Sequence, residues 1–201
     1  MTSLISATKD EAGVHTLVFD IARPDTLSSN VAVHHYIKAK IVRTLRKLAI
    51  EAGLELHEEN QREAVKQRVH ALQERQDWQT KKSAVSKKLA KKGLSKKEIE
   101  DHEDILAIGD KTSYDVANAV TVPFLFDRAR VRVLVGNTVN RDFDPPNLWP
   151  TVKALTDGLT DCAWWVDDNF KHLTEVSFGY GERSPEKGHY RFTLVVEPLE
   201  S

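Results

Sequence analysis

Six aspartates fall between positions 142 and 168: Asp142, Asp144, Asp157, Asp161, Asp167 and Asp168. Two are spaced Asp-x-Asp within Arg141-Asp142-Phe143-Asp144-Pro145-Pro146-Asn147, and two are adjacent. Carboxylates at the ends of short elements suit a hard divalent cation, because Mg²⁺ takes oxygen ligands and often uses one or two carboxylates plus substrate phosphates. On an extended strand Asp142 and Asp144 face the same side. Lys153 and Asp157 stand i, i+4 on a helix, so Lys153 either pairs with Asp157 or offers a point charge to a phosphate. A cation held beside a phosphodiester activates water, neutralises the phosphate and stabilises the leaving oxygen. These residue types therefore point to metal-dependent phosphodiester hydrolysis. They have a structural reading too: Asp-Pro-Pro is an ordinary loop, Asp167-Asp168-Asn169 an ordinary turn, and Asp161 a solvated side chain.

The surrounding elements must bring those side chains together. Residues 15–21 (HTLVFDI) read as a strand, and 25–30 as a turn-forming loop. A helix is expected over 31–52, with Ile37, Ile41, Leu45 and Leu48 as its apolar stripe and Lys40, Arg43 and Lys47 on another face. Gly53 reads as its stop. Residues 129–135 (ARVRVLV) read as a strand buried on at least one face, running toward the acidic motif. Leu148, Val152, Leu155 and Leu159 mark a helix over 148–160, with Pro150 in its first turn, where a missing N–H costs nothing. Two closing strands, 172–178 and 189–197, are expected to pair antiparallel across a Gly/Ser/Pro turn. Trp164 and Trp165 read mainly as core, with base stacking as the rival, and Cys162 as a small buried residue. The His34-His35 pair points two ways on a helix and reads as a phosphate contact or packing.

Residues 54–120 differ in kind. From 57 to 90 the chain is rich in Glu, Gln, Lys, Arg and Ala, without Gly or Pro. That predicts one long helix with a thin apolar stripe (Val65, Val69, Leu72, Val85, Leu89), broken at Gly93. Ser95 and Glu98 form a capping-box pattern that opens a second helix ending at Gly109. A helix so polar needs a partner helix or a ligand. The expected organisation is a body of 1–53 and 121–201 carrying an inserted helical arm, 54–120.

The chain has 201 residues, 40% of them hydrophobic, and a net charge of −1. That is a globular composition with no apolar run able to span a membrane. No signal peptide is visible, and the single cysteine excludes an internal disulfide, so a reducing cytoplasm is expected. Charge is segregated. Positions 31–50 carry Lys38, Lys40, Arg43, Arg46 and Lys47 with no acid, and 81–97 carries eight lysines with no acid. Such segregation makes local basic surfaces on a neutral protein. The lysines suit a phosphate backbone, and their bland reading is a solvated helix face or a protein interface.

The order Arg141-Asp142-Phe143-Asp144, Asn147, Lys153-Ala154-Leu155-Thr156-Asp157 and Trp165-Val166-Asp167-Asp168 resembles the RusA family of Holliday junction resolvases. The Ser28-Ser29-Asn30 loop, the basic helix and the closing strands extend the resemblance to roughly 14–53 and 121–198. The resemblance implies an α+β nuclease, a small mixed sheet packed with helices. It implies a homodimer that cuts four-way or branched DNA with Mg²⁺ or Mn²⁺, commonly phage- or prophage-encoded. The implied metal ligands are Asp142, Asp144 and Asp168, beside Asp167, with Lys153 near the phosphate. Asn30, Lys40, Arg43, Lys47 and Arg141 would then contact DNA. The arm would grip junction branches, support the dimer or meet a protein partner. The chain departs from the family pattern at Pro145-Pro146, which separate Asp144 from Asn147, and at Trp149-Pro150-Thr151, which lengthen the path to Lys153. The competing expectation is a degenerate nuclease fold that binds DNA or a protein without cutting.

Overall fold

The computed structural model describes residues 2–99, 122–138 and 143–199. The chain divides into two compact units, one of Met1–Glu58 with Pro123–Ser201 and one of Glu59–Val122.

The first unit holds strands β1 (Ser3–Lys9) and β2 (His15–Ala22), helix α1 (His35–Glu55), strand β3 (Ala129–Asn137), helix α3 (Trp149–Asp161), and strands β4 (Leu173–Tyr180) and β5 (His189–Pro198). The second unit carries α2 (Glu59–Lys91). The strands form one five-stranded sheet in the order β1-β2-β5-β3-β4. All neighbours are antiparallel except β3 and β4, which run parallel. The fold is thus α+β with a mixed sheet. The parallel pair requires a crossover, and α3 is that crossover. It starts beyond the C-terminal end of β3, which is where the acidic motif lies.

Alternation selects one buried face. Leu17, Phe19 and Ile21 of β2, Val131, Val133 and Val135 of β3, and Phe192, Leu194 and Val196 of β5 are all buried. Between them Arg130 and Arg132 project to the exposed side of β3, where Arg130 pairs with Glu197. One charge on that open side is sequestered. Asp20 is 2% exposed and receives both the Nε and Nη2 donors of Arg191 at 2.8 Å. A buried carboxylate without such a fork would carry a large desolvation cost.

The closing strands do not pair with each other. β3 lies between them, bonded to β5 on one side and β4 on the other. β5 alternates fully buried positions along its length and needs a neighbour on both sides, whereas β4 is mostly half-buried and suits an edge. The connection crosses the end of β3 closely: a Cβ on Gly136 would lie 1.6 Å from the Glu182 carbonyl oxygen. β1 escapes the alternation rule because a bulge between Leu4 and Ser6 exposes Ile5.

Gly53 does not stop α1, which runs two residues further. Its role is close approach. A Cβ there would meet Cys162 Sγ at 2.5 Å and Trp164 Nε1 at 2.8 Å. Gly158 does the same from α3, where a Cβ would lie 2.5 Å from the Arg46 carbonyl oxygen. The two helices meet through backbone, and Ile41, Leu45 and Ala49 are buried while Ile37 is 52% exposed. The apolar stripe of α1 therefore begins one turn later than its spacing predicts.

Trp164, Trp165 and Cys162 are fully buried. His15 is buried beside Phe126 and Trp164, edge-on to both rings. Its Nδ1 bonds to the Gly13 carbonyl at 2.9 Å, and its Nε2 has no hydrogen-bond partner among the described residues. Burial depresses its pKa below the ordinary 6.5, so the ring is held neutral.

In the second unit α2 is continuous for 33 residues. Ser95 and Glu98 form the expected capping box, with Ser95 N donating to Glu98 Oε2 at 2.8 Å and Glu98 N to Ser95 Oγ at 3.4 Å. The remainder of the expected second helix lies outside the described residues.

Candidate active site

The site is built around the first half of α3. Pro150 sits in the opening turn, after a 3₁₀ turn formed by Pro145–Leu148. Two turn-forming prolines fix the direction of approach, because each locks φ near the helical value. The loop after β2 is pinned to this helix start. Leu27 N donates to Thr151 Oγ1 at 2.7 Å, Thr151 Oγ1 donates back to the Leu27 carbonyl at 2.8 Å, and Ser29 N donates to the Asn147 carbonyl at 2.8 Å. Thr151 is fully buried and carried no sequence signal.

Beyond these bonds lies a cleft of about 440 Å³, lined by Arg23, Ser28, Asn30, Phe143, Asp144, Asn147 and Tyr190 among others. Its position, at the C-terminal ends of β2 and β3, is where open sheets with crossovers place ligands. The Arg23 guanidinium stacks over the Tyr190 ring at 5.3 Å and donates to Asn137 Oδ1 at 2.7 Å. Phe143 sits 5.5 Å from Tyr180 and 5.9 Å from Tyr190, ring to ring. Asp144 is exposed in this cleft, and its carboxylate does not cap the turn that follows.

The second feature is a charge cluster on the flank of α3. Lys153 Nζ bonds to Asp157 Oδ1 and to Asp168 Oδ2. Asp168 reaches Lys153 because α3 ends in a sharp reversal. Trp164 N bonds the Leu159 carbonyl and Ala163 N the Thr160 carbonyl, both at 3.1 Å, with Ala163 in the left-handed region at φ 61°. The reversal buries both tryptophans, and Trp165 Nε1 donates to Thr160 Oγ1 at 2.7 Å. The chain then turns through Asp167, whose carboxylate accepts from Asp168 N at 2.8 Å and from Asn169 Nδ2 at 2.7 Å. Asp167 is exposed and forms the turn that presents Asp168.

The electrostatics follow from this packing. Partial burial opposes the charge on Lys153, but hydrogen bonds and attraction from Asp157 and Asp168 outweigh it and raise its pKa above the ordinary 10.5. Partial burial likewise opposes ionisation of Asp168, yet the Lys153 ammonium outweighs it and holds the carboxyl below its ordinary 3.8. Arg46 of α1 extends the cluster. Its Nε donates to Asp161 Oδ2 at 3.1 Å and its Nη1 stands 3.9 Å from Asp157 Oδ2. Asp161 is therefore part of the helix–helix contact and not a solvated side chain. Arg46 and Asp161 are 115 positions apart, so no local spacing announces them.

Among the remaining expected residues, Asn30 lines the cleft, Lys40 and Arg43 are exposed on α1, and Lys47 pairs with Glu51 at 3.7 Å. Arg141 and Asp142 lie outside the described residues. Among the described residues no three His, Cys, Asp or Glu side chains converge on one point. Those residues alone do not fit a closed, protein-held metal centre. Asp144 and Asp168 fit in donor type a Mg²⁺ that takes only one or two carboxylates and completes its shell with water and phosphate oxygens. No helix among the described residues is long and apolar enough to cross a membrane. No protein-family model, curated protein or solved structure matches the chain.

Proposed function

We propose that the chain is a Mg²⁺-dependent, structure-selective endonuclease that resolves four-way or otherwise branched DNA by phosphodiester hydrolysis, with a RusA-like body. The observation that carries this reading is the Lys153–Asp157–Asp168 cluster. The Lys-x-x-x-Asp to Asp-Asp spacing on which the family resemblance rests is the spacing that the fold gathers at one point. The cleft at the start of α3, carrying an exposed carboxylate, two asparagines and aromatic rings, suits a nucleotide strand.

In this reading Asp168 and Asp144, with Asp142, hold the cation, for which Mn²⁺ substitutes. The cation supplies charge neutralisation and an activated water. Lys153 presents a fixed ammonium to the phosphate, kept protonated by its two carboxylate partners. Asp157 orients Lys153, and Asp167 shapes the turn that presents Asp168. Asn30, Lys40, Arg43, Lys47 and Arg141 contact DNA. The functional unit is a homodimer, acting in the cytoplasm of a bacterial host.

The test is cleavage of a synthetic four-way junction with Mg²⁺. Asp168→Asn is expected to reduce cutting by at least about a hundredfold while junction binding is retained. Binding with cutting unaffected by both Asp144→Asn and Asp168→Asn would refute the site. One observation favours a second reading, in which the body binds DNA or a protein without catalysis: Asp168 Oδ2 is already bonded to Lys153. Calorimetric titration with Mn²⁺ in the presence of DNA separates the two, since only the nuclease reading requires carboxylate-dependent binding.

A further inference from the structure

The charges of α2 are not evenly distributed. Its first half mixes signs, with Glu59, Glu63, Glu74 and Asp77 among Arg62, Lys66, Arg68 and Arg75. From Trp78 onward it holds lysines and no acid. Lys82 lies over the Trp78 ring at 5.2 Å. The others, Lys81, Lys87, Lys88, Lys91 and, just past the helix end, Lys92, are exposed. Spacings of seven and four place Lys81, Lys88 and Lys92 in one row, and Lys87 and Lys91 form a second row about 100° further round the helix. None of the five has an ion-pair partner among the described residues. Lys153, Arg46, Arg130 and Arg191, by contrast, are each matched to a carboxylate.

We infer that this lysine face, carried by the second unit, is a contact surface for the phosphate backbone of duplex DNA. The residue choice argues for a polyanion. The row contains no arginine, tyrosine or tryptophan, the residues that anchor protein interfaces, and lysine is depleted from such interfaces. Lysine is a point charge on a flexible stem, and it neutralises phosphates without demanding one geometry. From Lys81 to Lys91 the helix rises about 15 Å, over which a duplex carries about nine phosphate charges. Five ammonium groups on that length meet only part of this charge, so the contact would be salt-sensitive and blind to sequence. The inference deepens the proposed function and rests on it for the identity of the polyanion. It assigns to the second unit the holding of duplex arms.

The experiment uses the full chain, a linear duplex without branches, and EDTA, so that neither cutting nor junction recognition enters. Replacing Lys81, Lys87, Lys88, Lys91 and Lys92 by Gln is expected to weaken duplex binding at least tenfold at 0.1 M salt. It should also lower the slope of log affinity against log salt by about 2–4, because each phosphate contact contributes about 0.9. The matching Lys→Arg variant should restore both, and circular dichroism should show helix content unchanged in each. Unchanged affinity and slope in the Gln variant would overturn the inference. Competition by polyglutamate as effective as by duplex would also overturn it, in favour of an acidic polypeptide. If the wild type never cuts a junction but this duplex binding persists, the nuclease reading fails and the lysine surface stands.

Discussion

The protein carries two sets of cationic side chains with opposite treatment. Around α3, Lys153 and Arg46 are partly buried and bonded to Asp157, Asp161 and Asp168, which arrive from α3 and the loop beyond it. Along the second half of α2 and just past its end, five exposed lysines have no acid partner among the described residues. The first arrangement holds each charge in one place, the requirement for acting on a single phosphate. The second keeps every stem mobile and solvated, the requirement for gripping a repeating charge in any register. The ordered set is held by tertiary packing, so it is breakable by changes that touch no charge at all.

Gly158→Ala should have the largest effect on stability. A Cβ there would lie 2.5 Å from the Arg46 carbonyl oxygen and 2.8 Å from Ala49 Cβ. The gain in helix propensity is about 1 kcal/mol, whereas forcing two backbones apart costs about 3 kcal/mol or more, so a net loss of about 2 kcal/mol is expected. Because Arg46 rides on that contact, its bonds to Asp161 should loosen as well. Urea unfolding measures the loss. Gly93→Ala is the control: nothing lies within 4 Å of its Cβ, and only the left-handed φ of 84° opposes the change, at about 1 kcal/mol. An equal loss at the two positions would mean that the helix seam is not closely packed.

Lys153→Met tests the ordered charges directly. Asp157 and Asp168 would remain together without their shared ammonium. Breaking a fully buried pair costs about 3–5 kcal/mol, but these side chains are 24–41% exposed, so about 1–2 kcal/mol is expected at pH 7. The pH dependence of this cluster's contribution should invert. In the wild type the lowered pKa of Asp168 gives stability that is present above pH 3.8 and lost as pH falls through the folded value. In the variant the two carboxylates repel, so acidification should first stabilise the fold by protonating one of them. The deficit of the variant against the wild type should therefore be smaller at pH 4 than at pH 7; denaturant midpoints of both proteins at the two pH values decide the matter, and a deficit that does not shrink would break the argument.

What the sequence made legible was local. The α3 stripe, the strand 129–135, the capping box at Ser95 and Glu98, and the i, i+4 bond between Lys153 and Asp157 each depend on neighbours within a turn or two. What it hid was pairing at a distance. Whether β4 lies beside β5 depends on which strand needs two neighbours, and β3 supplies that answer from 53 to 69 positions upstream of its partners in β5. Glycine misled for the same reason. Gly53 marks a helix stop by local rules, but its missing side chain admits Cys162 and Trp164. At the site, Asp168 was visible as a member of an Asp-Asp pair, whereas its bond to Lys153 required the reversal at Ala163, where a left-handed alanine gives no sequence signal.

The smallest expected change completes the contrast. Lys88→Gln removes one charge from the last turn of α2, where a cation interacts favourably with the helix dipole. With the side chain in solvent and no ion pair among the described residues to break, the loss of stability should stay within about 0.5 kcal/mol, several times less than for Lys153→Met. The difference from the wild type should also be the same from pH 4 to pH 8, since no carboxylate among the described residues is paired with it. Thermal unfolding of the two variants in parallel makes the comparison. A loss at Lys88 as large as at Lys153 would show that the α2 lysines are tied into the fold, and would remove the reason for reading them as a surface reserved for phosphate.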